Sequence, residues 1–114
     1  MFRLLDSQIV DELSEIMGDD LGMLFETFLV DSESKIVELV AQTNAQQSDV
    51  IRRIAHSLKG SSRNLGASQL AEQCELLENA ARNAQSHRYS PLISAVNRAF
   101  LALKVEIESA NLTH

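Results

Sequence analysis

From Ile9 to Ile107 the apolar residues of this chain recur at spacings of three and four, and no stretch gives a credible strand. A period of 3.6 gathers such residues on one face of a helix, so the chain must fold as amphipathic helices that bury their stripes against one another. Gly18, Gly66 and Pro91 stand where those helices would begin or end.

Asp6 can cap a short helix, about 6–17, carrying Ile9, Val10, Leu13, Ile16 and Met17 and closed by Gly18. Asp19 or Asp20 then starts a longer one, about 19–44. Its stripe is Leu21, Leu24, Phe25, Phe28, Leu29, Ser32, Ile36, Leu39 and Val40, and its polar middle, DSESK, contains no helix breaker. A short connection over 45–48 leads to Ser48, the expected cap of a third helix, 48–65, with Asp49 at its positive end. Ile51, Ile54, Leu58, Ser62 and Leu65 form its buried arc.

Gly66 ends that helix, and Ser68 is the expected cap of a fourth, 68–85, whose stripe is Leu70, Cys74, Leu77, Ala81 and Ala84. The connection is so short that the third and fourth helices must be antiparallel neighbours. After the loop SHRYS, Pro91 takes the first position of a fifth helix, 91–111, with Leu92, Val96, Phe100, Leu103 and Ile107 inward. The expected fold is all-α: an antiparallel four-helix bundle, up-down-up-down, with the short N-terminal helix across one end. At 114 residues it makes one domain, 1–114.

Composition narrows the function. Hydrophobic residues make up 45% of the chain but aromatics only 4%, with no Trp, which suits a bundle core of Leu, Ile, Val and Ala. A net charge of −6 argues against nucleic-acid binding. The acidic N-terminus is no signal peptide, and no run reaches a membrane span, so we expect a soluble cytoplasmic protein. The single cysteine, Cys74, falls on an apolar stripe and is expected as a small core residue. His56, His87, His114 and Cys74 lack paired ligand spacing, so no metal site is expected.

His56 lies almost opposite Leu58 on the third helix, and therefore away from the core. Gly60 is one turn further along the outer face, with Lys59 and Arg63 beside it and Arg52 and Arg53 one turn back. Glycine inside a helix costs about 1 kcal/mol relative to alanine, and on an outer face packing does not explain it. A bare backbone there would let another protein approach the imidazole. The cations form an anion-ready face on an acidic chain. Ser61 and Ser62 flank the buried stripe and would let a neighbouring helix come close. Folding the fourth helix back around Gly66 brings Glu78 level with His56, where its carboxylate could orient the ring and leave the other nitrogen free, or simply pair with Arg82 four residues on.

The run His56-Ser57-Leu58-Lys59-Gly60-Ser61-Ser62, followed by Leu65-Gly66-Ala67 and Cys74-Glu75-Leu76-Leu77-Glu78, resembles the histidine-containing phosphotransfer (HPt) domain of bacterial and fungal phosphorelays. The resemblance implies that His56 is phosphorylated, that Lys59 steadies the phosphoryl group, and that Gly60 opens the surface to a partner. Glu78 stands where family members often carry Gln or another polar residue, and a ring-orienting role fits it better than contact with the phosphoryl group.

In that reading the chain is a standalone, monomeric phosphorelay protein without ATP-binding or autokinase activity. Its partners would be the receiver domain of a hybrid sensor kinase and that of a response regulator, docking at Gly60, Arg63, Arg52 and Arg53. No cofactor is needed, since the divalent metal belongs to the receiver. Apolar residues such as Ile9, Leu13 and Met17 are candidates to complete the docking surface. The competing reading is a non-catalytic helical adaptor or scaffold that binds a signalling partner, for which His56→Gln would be silent.

Overall fold

The computed structural model describes residues 2–42 and 47–114; the expected end of the second helix at Thr43 or Asn44, and the first half of the 45–48 connection, lie outside them. Five α-helices follow in order among the described residues: α1 (Ser7–Met17), α2 (Leu21–Ala41), α3 (Ser48–Asn64), α4 (Ser68–Arg82) and α5 (Tyr89–Ser109). Helix α3 packs on α4, α4 on α5, α5 on α2 and α2 on α3, which closes a four-membered ring around a single core. The rod that results measures 43 × 21 × 20 Å.

Phe25, Leu39, Ile51, Leu58, Leu70, Leu77, Tyr89, Phe100, Leu103 and Ile107 are the large side chains fully buried in it. Tyr89 had no place in the sequence stripes. It opens α5 and its hydroxyl hydrogen-bonds the Ser48 hydroxyl at the start of α3. That contact explains a correction: Ser48 is the first residue of α3 and not its cap, which is Gln47. Ser68 likewise begins α4 after Ala67.

At the opposite end, α1 lies across the α3–α4 turn. Asp6 caps it as expected, its carboxylate accepting from the amides of Gln8 and Ile9, and the Asp6 amide donates to the Gly66 carbonyl at 2.9 Å. The preceding strand of chain is held by Glu106 of α5, whose carboxylate accepts from the amides of Arg3, Leu4 and Leu5 at 2.7–3.0 Å. Gly18 closes α1 at φ 54°, ψ −124°, a region only glycine enters cheaply, and a 3-10 turn over Gly18–Asp20 joins α1 to α2.

Three expected core positions are exposed instead: Ile16, Val40 and Ala84. Ala84 is outside α4 altogether, because the helix ends at Arg82 and the chain turns at Ala84 with φ 52°. Helix α5 starts at Tyr89, two residues before Pro91, which occupies the third helical position. Amides there have no intrahelical carbonyl to reach, so the proline is accommodated.

Candidate functional site

The five residues that periodicity placed inside α3 are all buried. This fixes the roll of the helix and turns the His56 side chain outward, 67% exposed, on the side facing α4. Gly66, at φ 79°, reverses the chain so sharply that α4 runs back alongside α3. A Cβ at Gly66 would come within 3.2 Å of Asp6 and Ile9, so both its backbone angle and its neighbours require glycine. The reversal delivers Glu78 beneath His56: the imidazole Nδ1 and Glu78 Oε2 are 2.9 Å apart.

Glu78 is the centre of a small charge cluster. Its side chain is only 3% exposed. Oε2 is shared between His56 Nδ1 and an Arg82 guanidinium nitrogen at 3.1 Å, and Oε1 lies 2.6 Å from the ammonium of Lys59. Arg82 is braced in turn by the Asn79 side chain at 2.8 Å. Burial alone would push the Glu78 carboxyl up, but hydrogen bonds from Lys59 and then His56, with their charges, outweigh it and hold the carboxyl below its ordinary 4.5.

Glu78 is therefore ionised at neutral pH and can only accept. The Nδ1 of a neutral His56 must carry the proton, which leaves the Nε2 lone pair as the free, solvent-facing atom of the ring. The contact expected from the hairpin geometry and the i,i+4 pair with Arg82 thus exist together.

The cations depart from the sequence reading. Lys59 does not stand free beside Gly60: its side chain is 14% exposed, and its charge is engaged by Glu78. Lys59 is one turn from His56 on α3, and the packing of α4 brings the same carboxylate to both. Arg63 pairs with Glu75 across the helices at 3.5 Å. The side chain of Arg53 turns back to the Asp49 carbonyl, and Arg52 is half-buried. The face is accordingly less positive than a count of its lysine and arginine residues suggests.

Gly60 matches its anomalous place in the sequence. It is exposed, and a Cβ built on it meets nothing within 4 Å. Nothing inside the molecule requires glycine there. Ser62 is fully buried, and its hydroxyl has no partner among the described residues, whereas the Ser61 hydroxyl bonds back to the Ser57 and Leu58 carbonyls. Among the described residues neither hydroxyl is hydrogen-bonded to a base, so neither is set up as a nucleophile.

Cys74 is buried directly behind the cluster. Burial, with the Glu78 charge added, pushes its thiol up to about 12, so it is an inert core residue. No group of three or more His, Cys, Asp or Glu side chains that could hold a metal occurs among the described residues. No helix of the described residues is long and apolar enough to cross a membrane.

Residues 23–110 match the model of the Hpt domain family. The phosphorelay protein LuxU of Vibrio harveyi is 31% identical over 83 residues, 72% of this chain and 73% of that one. The crystal structure of histidine-containing phosphotransfer protein B (HptB) from Pseudomonas aeruginosa PAO1 superposes with a TM-score of 0.93 at 32% identity, covering 100% of this chain and 99% of that one.

Proposed function

Because the chain belongs to the Hpt domain family, and is a histidine phosphotransfer protein of phosphorelay signalling, we propose that His56 is the residue that carries the phosphoryl group. The observation that supports this most directly is the His56–Glu78 pair, which leaves Nε2 unprotonated, exposed and aimed at solvent.

The Nε2 lone pair attacks the phosphorus of an aspartyl phosphate on a receiver domain. The new N–P bond forms as the P–O bond to the aspartate breaks, and the aspartate departs as a carboxylate. The ring becomes a phosphoimidazolium, positive at the moment the bond is made, and the Glu78 carboxylate on Nδ1 offsets that charge without taking the proton. Transfer to a second receiver is the same step in reverse.

Lys59 supplies positive charge for the phosphoryl oxygens. When its ammonium turns from Oε1 toward them, Arg82 and His56 still compensate Glu78. Gly60, Arg63, Arg52 and Arg53 form the docking face for the receiver, whose own acidic pocket and divalent metal complete the reaction. The donor is the receiver of a hybrid sensor kinase and the acceptor that of a response regulator. The protein acts as a cytoplasmic monomer and does not phosphorylate itself from ATP.

Mixing the protein with a receiver domain labelled on its aspartate tests this. Label that moves to this chain, survives base and is lost in acid is the expected result, with none on His56→Gln. Label retained by His56→Gln would overturn the site, and a silent His56→Gln in cells would favour the adaptor reading.

A further inference from the structure

Helix α2 buries one face through Phe25, Phe28, Leu29, Ser32, Ile36 and Leu39. Its opposite face is also apolar along its centre. Met23, Val30 and Val37 are 71%, 61% and 66% exposed and stand seven residues apart, on one line about 21 Å long. Exposed Thr27 and Ser34 fall between them and exposed Ala41 follows, so the seam alternates spacings of four and three, as in a two-helix coil. Valine is a poor choice for a solvent-facing helix position, since it lowers helix propensity and leaves apolar surface in water. A contact that covers the seam removes both penalties.

The edges of the seam decide what covers it. Glu26 and Glu33 run along one side and Asp31 and Glu38 along the other, all four exposed; the one cation of α2, Lys35, lies further round, in the groove toward α3. A second copy would set acid against acid in either direction, and an anionic membrane surface would be repelled. We propose that this face of α2 receives an amphipathic helix of a partner protein, one with an apolar seam flanked on both sides by lysine or arginine. Helix α2 packs between α3 and α5, while His56 and Glu78 bridge α3 and α4, so the occupant leaves Nε2 uncovered. The seam anchors a partner without competing for the phosphoryl site, and raises the local concentration of whatever that partner carries.

Site-specific photo-cross-linking of the full chain in the cells that express it tests this, with p-benzoylphenylalanine in place of Val30 or Val37. The expected product is an adduct to another protein, through a segment with three-four apolar spacing and basic flanks, reduced about tenfold by Glu26→Lys with Glu33→Lys. An adduct between two copies of this chain, an adduct to lipid, an adduct indifferent to the charge reversal, or no adduct would each overturn the proposal. Phosphoramidate, which phosphorylates histidine directly, should label His56 equally in the charge-reversed chain. That control separates failure at the seam from failure at the phosphoryl site.

Discussion

Substituting Glu78 by glutamine keeps the shape of the side chain and removes its charge, which separates what the carboxylate does for stability from what it does for His56. With Lys59, Arg82 and His56 around one buried oxygen pair, the loss should cost about 1–2 kcal/mol at neutral pH. Its pH dependence has a defined sign. The folded carboxyl sits below its ordinary 4.5, so its stabilisation is complete above that value and disappears as pH falls through the lowered one. Urea titrations of both proteins should therefore show a gap at neutral pH that closes in strongly acid solution, once the Glu78 carboxyl is protonated; a gap that persists undiminished there would contradict the ion cluster. Gly60 gives the converse case. Gly60→Ala meets open space, so the free protein should gain about 1 kcal/mol, a rise in Tm of about 4 °C, while phosphoryl acceptance from a receiver slows. Wild-type transfer by a stabilised Gly60→Ala would show that no partner needs the bare backbone.

The ends of the helices obey one rule more closely than their starts. In α3, α4 and α5 the last turn closes with the same pair of backbone bonds, from Ala67 to Ser62 and Gly66 to Arg63, from Gln85 to Ala80 and Ala84 to Ala81, and from Leu112 to Ile107 and Asn111 to Glu108. Each needs a positive φ at the residue past the cap, supplied by Gly66, Ala84 and Asn111. Glycine announces such an end in a sequence, and Gly66 was legible for that reason. Alanine announces the opposite, because it is the best helix former, and so the expected helix ran on to residue 85 and took Ala84 into the core. Ala84→Gly should then relieve strain at an exposed position and stabilise the fold by about 0.5–1 kcal/mol, readable as a higher midpoint in urea. An unchanged or lowered midpoint would mean that the turn is relaxed with alanine. The helix start at Ser48 was misplaced by one residue for a related reason: Ser48 has a tertiary partner in Tyr89, which local capping rules do not see.

At the scale of the whole molecule the question is which charge a receiver meets. The core stripes, the hairpin reversal and the outward histidine were legible because each follows from periodicity along one or two helices. The electrostatics of the face were not, because Lys59 and Arg63 acquire their carboxylate partners only when α4 packs on α3. What remains is a local excess of cations around His56 on a chain of net charge −6. These pull an acidic receiver in opposite senses, and distance chooses between them. The Debye length is about 10 Å at 0.1 M salt, so charge at the far end of a rod 43 Å long is screened while Arg52, Arg53 and Arg63 are not. Attraction should win at docking range, in moderated form because so many cations are already paired. The second-order rate constant for transfer from a receiver is accordingly expected to fall about three- to tenfold between 50 and 500 mM salt, with the maximal rate at saturating receiver unchanged. Stopped-flow or quench measurements across that range decide it. A rate that rises with salt would mean that the net charge governs the encounter and that the paired cations of α3 do not steer it.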